Sequence, residues 1–184
     1  EIALSDVNHA IELNPTNAIM YINRGAVYQN KNEYDKAFDD YMRAVNIDPN
    51  EPSIYLNRGS LYRSQGKQIL ALADYNHALE LDPQNVSAYL ARGNLYKLQK
   101  KYDQAMNDFN HAIQLDPKRS ASYAALGYFY LELDDLDKSL ENFNYALEIN
   151  PKSGEAYLGR GKIYQLRGIT PRMIDDYNRA IELS

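Results

Sequence analysis

Three histidines, His9, His77 and His111, are the first residues in this chain that could do chemistry, because a neutral imidazole is the commonest metal ligand among side chains. The separations are 68 and 34, both multiples of 34. The three therefore occupy equivalent places in a repeating unit and should be spread along the molecule rather than converging. Supporting carboxylates at ligand spacing are not evident, so no metal and no cofactor is expected. No serine, histidine and aspartate form a nucleophile with its base. The glycines are single and lack the G-x-x-x-x-G-K run that cradles phosphate. With no cysteine, disulfides and thiolate metal sites are excluded. The chain holds no catalytic constellation and reads as a protein that is not an enzyme.

A stronger pattern lies in the charges. Arg24, Arg58, Arg92 and Arg160 stand against apolar stripes, and Asp40, Asp74, Asp108 and Asp176 each follow 16 residues later. One copy breaks both members, with Leu126 in the arginine's place and Asn142 in the aspartate's. Pairing each arginine with the aspartate of its own unit fits every copy. Pairing it with the preceding unit would set Arg160 against Asn142. The expectation is a structural ion pair within each unit, in which a planar guanidinium meets a carboxylate twice.

The elements that must position these pairs follow from the period. Pro15, Pro49, Pro83, Pro117 and Pro151 are 34 apart, and so are Gly25, Gly59, Gly93, Gly127 and Gly161. Tyr21, Tyr55, Tyr89, Tyr123 and Tyr157 keep that spacing, as do Tyr28, Tyr62, Tyr96, Tyr130 and Tyr164. A second block carries Ala37, Ala71 and Ala105, then Tyr41, Tyr75, Phe109, Phe143 and Tyr177, then Ala44, Ala78, Ala112, Ala146 and Ala180. Counting from residue 18, positions 4, 8 and 11 make one stripe on a first helix, A. Positions 20, 24 and 27 make another on a second helix, B. Glycine and alanine in those stripes let the two helices approach closely. The Asp-Pro and Asn-Pro steps end helix B, because the residue before proline avoids helical backbone. Thr170 before Pro171 predicts an N-cap with proline at the first helical position. The repeat also places the aromatic residues: 15 of the 17 tyrosines fall at positions 4, 11, 17 or 24.

These residues resemble the tetratricopeptide repeat family, whose pattern has an aromatic at position 4, Leu at 7, Gly at 8, Tyr at 11, Ala at 20, an aromatic at 24, Ala at 27 and Pro at 32. The register gives repeats at 18–51, 52–85, 86–119, 120–153 and 154–184, with 1–17 matching the second helix of a preceding repeat. The array is expected to continue beyond these residues, since 1–17 form a lone helix B and the last repeat lacks a polar capping helix. The departures are arginine at position 7 in four copies, Ser139 at position 20 and Met173 at position 20. The resemblance implies an all-α, right-handed superhelical solenoid of antiparallel helix pairs, with helix A lining a concave groove.

Positions 2, 5, 6, 9, 12 and 13 then face the groove. The candidates for binding there are Asn23, Asn57, Ser60, Arg63, Asn94, Lys97, Tyr128 and Lys162, with Ile22, Leu90, Ala124, Ala125 and Gly159 on the same face. Asparagine can donate to and accept from a peptide backbone at once. Arg63 and Lys97 could favour an acidic residue or a terminal carboxylate. The clamp by which some family members grip chaperone tails, with Lys at position 5, is absent. Asn23 and Asn57 match two rungs of the asparagine ladder of O-linked N-acetylglucosamine transferases, and Ala91, Ala125 and Gly159 break it. The formal net charge is −5 and no apolar run approaches ~20 residues. Neither a nucleic-acid surface nor membrane insertion is expected, and the cytoplasm is the expected compartment. The reading is a scaffold that holds an extended or helical segment of a protein or peptide partner. The alternatives are the targeting or regulatory arm of a larger enzyme, and a structural array that self-associates end to end.

Overall fold

The computed structural model describes residues 4–183, and among them are eleven α-helices and no strand. They are α1 (Leu4–Leu13), α2 (Ala18–Asn30), α3 (Tyr34–Ile47), α4 (Pro52–Ser64), α5 (Gln68–Leu81), α6 (Val86–Leu98), α7 (Tyr102–Leu115), α8 (Ser120–Glu132), α9 (Leu136–Ile149), α10 (Gly154–Leu166) and α11 (Thr170–Glu182). The chain forms two compact units, Glu1–Leu95 and Tyr96–Ser184, with α6 beginning in the first and ending in the second.

In the first unit α2 packs on α3 and α4 on α5, while α3 meets α4 and α2 also touches α4. The core between them holds Tyr21, Ile22, Ala37, Tyr41, Ala44, Ile54, Tyr55 and Leu61, all buried. In the second unit α8 packs on α9 and α10 on α11, with α9 meeting α10 and α8 also touching α10. Phe143, Ala146, Ala156 and Ile163 are wholly enclosed there. The stripes read from the sequence are the packed faces. At position 8 a side chain would not fit: a Cβ on Gly59 would lie 2.7 Å from Cε1 of Tyr75.

The turns are built alike. Three residues join A to B, and the middle one adopts left-handed backbone each time, at Asn32, Gly66, Lys100, Asp134 and Gly168. That conformation reverses the chain after the last carbonyls of helix A. After helix B, the carboxylates of Asp48, Asp82 and Asp116 and the amide of Asn150 accept a hydrogen bond from the backbone N–H two residues on. Such turns compete with a further helical turn, and the following proline completes the stop. Asn17, Asn85 and Ser153 then cap α2, α6 and α10 through side-chain oxygens. At α11 the expectation differs from the structure. The helix begins at Thr170 itself, Ile169 takes the cap position, and no side chain caps it.

Candidate functional site

Position 7 carries a guanidinium into the seam between helices. Arg24 donates from Nε and Nη2 to Asp40 Oδ2 and Oδ1 at 2.8 and 2.7 Å. Arg58 meets Asp74 at 2.8 and 2.8 Å, and Arg160 meets Asp176 at 2.8 and 2.8 Å. These aspartates are nearly closed to water, at 5–6% exposure. The hydrogen bonds hold the guanidinium pKa values above ordinary, against a burial cost that would lower them. Arg92 and Asp108 belong to different units; Arg92 meets Asn76 in the first, and Asp108 is buried in the second.

Two further partners appear. The tyrosines at positions 4 and 11 bracket each guanidinium: Tyr21 and Tyr28 lie 5.5 and 6.0 Å from Arg24, and Tyr157 and Tyr164 lie 5.4 and 6.0 Å from Arg160. The remaining nitrogen, Nη1, reaches back to helix B of the preceding pair. Arg24 donates to Asn8 at 2.8 Å and Arg160 to Asn144 at 2.9 Å. Beside Arg58 that place is held by Met42, whose Sδ lies 3.2 Å away. One side chain thus ties helix A to its own B and to the B before it. Sequence reasoning missed the asparagines, although Asn8, Asn76, Asn110, Asn144 and Asn178 keep the 34-residue register, broken only by Met42, and offered the signal.

The candidate binding residues divide between the two units. In the first, Asn23, Asn57, Ser60 and Asn94 are half-buried and Arg63 is exposed. Gln29 is anchored between two neighbours: it accepts from the Tyr41 hydroxyl at 3.0 Å and donates to Ser60 Oγ at 3.4 Å. Arg63 holds the equivalent place in α4 but offers no acceptor, and the buried Tyr75 hydroxyl donates to no acceptor among the described residues.

In the second unit Lys97 and Tyr128 are half-buried and Lys162 is exposed. The Tyr128 hydroxyl donates to the Glu155 carbonyl at 3.0 Å, and its ring meets Phe143 edge-on at 4.9 Å. Burial pushes the Tyr128 phenol up to about 12. Lys97 Nζ lies 6.0 Å from the centre of that ring. Burial lowers the Lys97 pKa, and the more distant charges of Glu132 and Glu155 oppose the shift. Glu155 reaches water, yet the surrounding protein still holds its carboxyl above the usual range. Gln165 accepts from the Tyr177 hydroxyl at 3.0 Å and from Lys162 at 3.4 Å.

Five residues assigned to the open face are not on it. Ile22, Leu90, Ala124, Ala125 and Gly159 are buried. Positions 5 and 6 turn partly toward the preceding helix pair, so a Cβ on Gly159 in α10 would lie 2.2 Å from Phe143 Cζ of α9. Gly159 therefore has no room to be a rung of an asparagine ladder. The histidines serve the repeat in different ways. His77 packs edge-on against Tyr55 at 4.3 Å and contacts Glu80, while His9 is exposed beside Glu12. Among the described residues no group of three or more His, Cys, Asp or Glu is placed to hold a metal ion.

Helix pairs that repeat their lengths, turns and buried contacts define an all-α repeat protein of the solenoid class. Sequence profiles described as TPR repeat match residues 30–66 and 59–100, and those described as tetratricopeptide repeat match 86–119, 7–39 and 109–141. The chain belongs to the tetratricopeptide repeat family. No curated protein matches its sequence. Among solved structures, a thermophilic TPR protein of Thermus thermophilus is 18% identical, covers 91% of this chain and 92% of its own, and has a TM-score of 0.82. A tetratricopeptide repeat protein from Parabacteroides merdae is 26% identical over 99% of this chain and 72% of its own, at a TM-score of 0.74. YrrB, a TPR protein with an unusual peptide-binding site, is 21% identical over 99% of this chain and 94% of its own, at 0.61. Proteins of the family are generally non-catalytic scaffolds for protein or peptide partners, and this chain is a protein-interaction scaffold in that general sense. Among the described residues no helix is long and apolar enough to cross a membrane.

Proposed function

We propose that the groove-facing residues of the second unit, Lys97, Tyr128 and Lys162, bind an extended segment of a partner protein, with a carboxylate or carbonyl placed at Lys97, and that Asn23, Asn57, Ser60, Arg63 and Asn94 offer a like face within the first unit. The observation that carries this is the state of Lys97. Its amine is half-buried and partly desolvated, and no carboxylate lies within ion-pair distance among the described residues. A buried cation without a partner is costly, and a ligand oxygen over Tyr128 would relieve that cost. The half-buried amides of Asn23, Asn57 and Asn94 suit a main chain, because each can donate and accept. YrrB, of similar fold, is a peptide-binding TPR protein, which supports the reading by analogy.

The test is a displayed peptide-library selection on the parent beside a variant carrying Asn57→Ala, Arg63→Gln and Lys97→Gln, with circular dichroism as the check on folding. Peptides enriched on the parent and lost on the variant are expected. Equal enrichment on both would remove this face from consideration.

A second reading rests on an apolar cleft of about 660 Å³ between α10 and α11, lined by Leu158, Tyr177, Ala180, Ile181 and Leu183. It favours association of two copies through that face. Light scattering over a dilution series checks it, and a monomer at every concentration argues against it.

A further inference from the structure

The α8–α9 pair lacks the arginine that α2, α4 and α10 each carry, and a cleft of about 640 Å³ opens there. Its lining includes Tyr123, Leu126, Tyr130, Glu141, Asn142 and Glu148. Tyr123 and Tyr130 are the position 4 and position 11 tyrosines, which bracket a guanidinium at 5.4–6.0 Å in the α2, α4 and α10 helices. Here both rings remain but Leu126 stands between them, buried and too short to fill the space. Asn142 replaces the aspartate. It spends its Nδ2 on the Lys138 carbonyl at 2.8 Å, and its Oδ1 has no hydrogen-bond donor among the described residues. Asn110, at the position that supplies Asn8 and Asn144 to the other arginines, is exposed and likewise without a side-chain partner among the described residues.

Two neighbours could be thought to occupy the rings already. Lys138 also lines the cleft; its amine sits 5.2 Å from the centre of Tyr130 and pairs with Asp135 at 2.7 Å. Yet Tyr28 carries Lys36 at 5.3 Å and Arg24 at 6.0 Å at the same time. Tyr145 packs edge-on against Tyr123 at 4.5 Å, as His77 does against Tyr55 while Arg58 still lies 5.4 Å from Tyr55. Each ring therefore keeps a face for a further cation. The charge fits as well. Glu141 and Glu148 are exposed and have no ion-pair partner among the described residues, so once Lys138 is set against Asp135 the rim is anionic.

We propose that this cleft receives an arginine side chain from a partner protein, which supplies in trans the guanidinium that Arg24, Arg58 and Arg160 supply in cis. The guanidinium lies against the faces of Tyr123 and Tyr130, donates to Asn142 Oδ1, and is neutralised by Glu141 and Glu148. Arginine suits the site better than lysine, because its planar fork stacks on aromatic faces and presents several fixed donors. The site is separate from the face around Lys97. Position 7 lies about 160° around an α-helix from position 9, where Tyr128 stands. The cleft can therefore be filled whether or not that face binds a peptide.

The experiment is a titration with acetyl-Gly-Arg-Gly-amide, read by NMR on 13C-labelled tyrosine rings, beside its lysine and citrulline counterparts. The arginine peptide is expected to shift the Tyr123 and Tyr130 signals. Citrulline, which keeps the shape without the charge, should bind about tenfold more weakly, the worth of roughly one or two cation–π contacts. Leu126→Arg with Asn142→Asp restores the internal pair and should abolish the shifts. Glu141→Gln with Glu148→Gln alters only exposed side chains and should weaken binding several-fold. The proposal is overturned if no peptide shifts the two rings, or if citrulline or lysine binds as tightly as arginine. It also fails if either double variant, with helicity intact, binds unchanged. The groove variant Asn57→Ala, Arg63→Gln, Lys97→Gln should bind the arginine peptide normally; loss there would contradict two separate sites.

Discussion

Asp74→Ala would strand a guanidinium. Arg58 and Asp74 share two hydrogen bonds of 2.8 Å, with side-chain exposures of 15% and 9%. Removing one partner of such a buried pair costs about 3–5 kcal/mol. The lower end applies here, because Arg58 keeps some access to water and remains against Tyr55 and Tyr62, contacts worth roughly 1–2 kcal/mol. About 3 kcal/mol is a large share of the roughly 5–15 kcal/mol that holds a domain folded. At a urea slope of about 1–3 kcal/mol per molar, the midpoint should fall by about 1–3 M. Arg58→Leu alone should cost a similar amount, since it leaves a buried carboxylate. The double variant Arg58→Leu, Asp74→Asn removes both charges and should lie within about 1 kcal/mol of the parent, because an ion pair exchanged for apolar groups of like volume is often neutral. The α8–α9 pair already carries that combination as Leu126 and Asn142. Repeat arrays can unfold in parts, so urea melts by circular dichroism should be accompanied by hydrogen exchange on the α4 and α5 amides. A double variant as unstable as Asp74→Ala would refute the reasoning, since the loss would then be one of packing rather than of stranded charge.

Three further outcomes are expected. Ser122 is wholly buried and its hydroxyl has no partner among the described residues, while the equivalent Ala88 and Ala156 are equally buried, so Ser122→Ala should stabilise by about 1 kcal/mol in urea melts. Lys100 holds φ of 57° where Gly66 and Gly168 serve elsewhere. Lys100→Gly should raise stability by roughly 0.5–1 kcal/mol, because left-handed backbone costs a residue with a Cβ about 1–2 kcal/mol and glycine returns part of that gain as chain entropy. Burial depresses the Lys97 pKa in the folded chain, so between that value and the ordinary 10.5 the unfolded state binds more protons. Stability contributed through Lys97 should therefore rise with pH across that window, and Lys97→Gln should remove the rise. NMR titration of methylated lysines should find Lys97 below Lys36 and Lys138, whose neighbouring carboxylates raise them.

The period carried most of the architecture. Exact spacing of Pro15, Gly25, Tyr28 and their counterparts assigned each stripe to a helix and each proline to a stop, because these constraints act within a few residues of the chain. The aspartate partner of Arg24 could be inferred from the linked change at Leu126 and Asn142, a comparison that the repeat itself provides. What tertiary structure decided was which way each partly polar position turns. Positions 5 and 6 look open on a single helix, but Ile22, Ala125 and Gly159 are buried because an adjacent helix pair packs on that side. The bracketing tyrosines lie on the arginine's own helix, but the reach of Arg24 to Asn8 and the cleft left beside Leu126 depend on how successive helices pack against one another. A pattern of one chain names the residues that recur; only packing sets which of them meet.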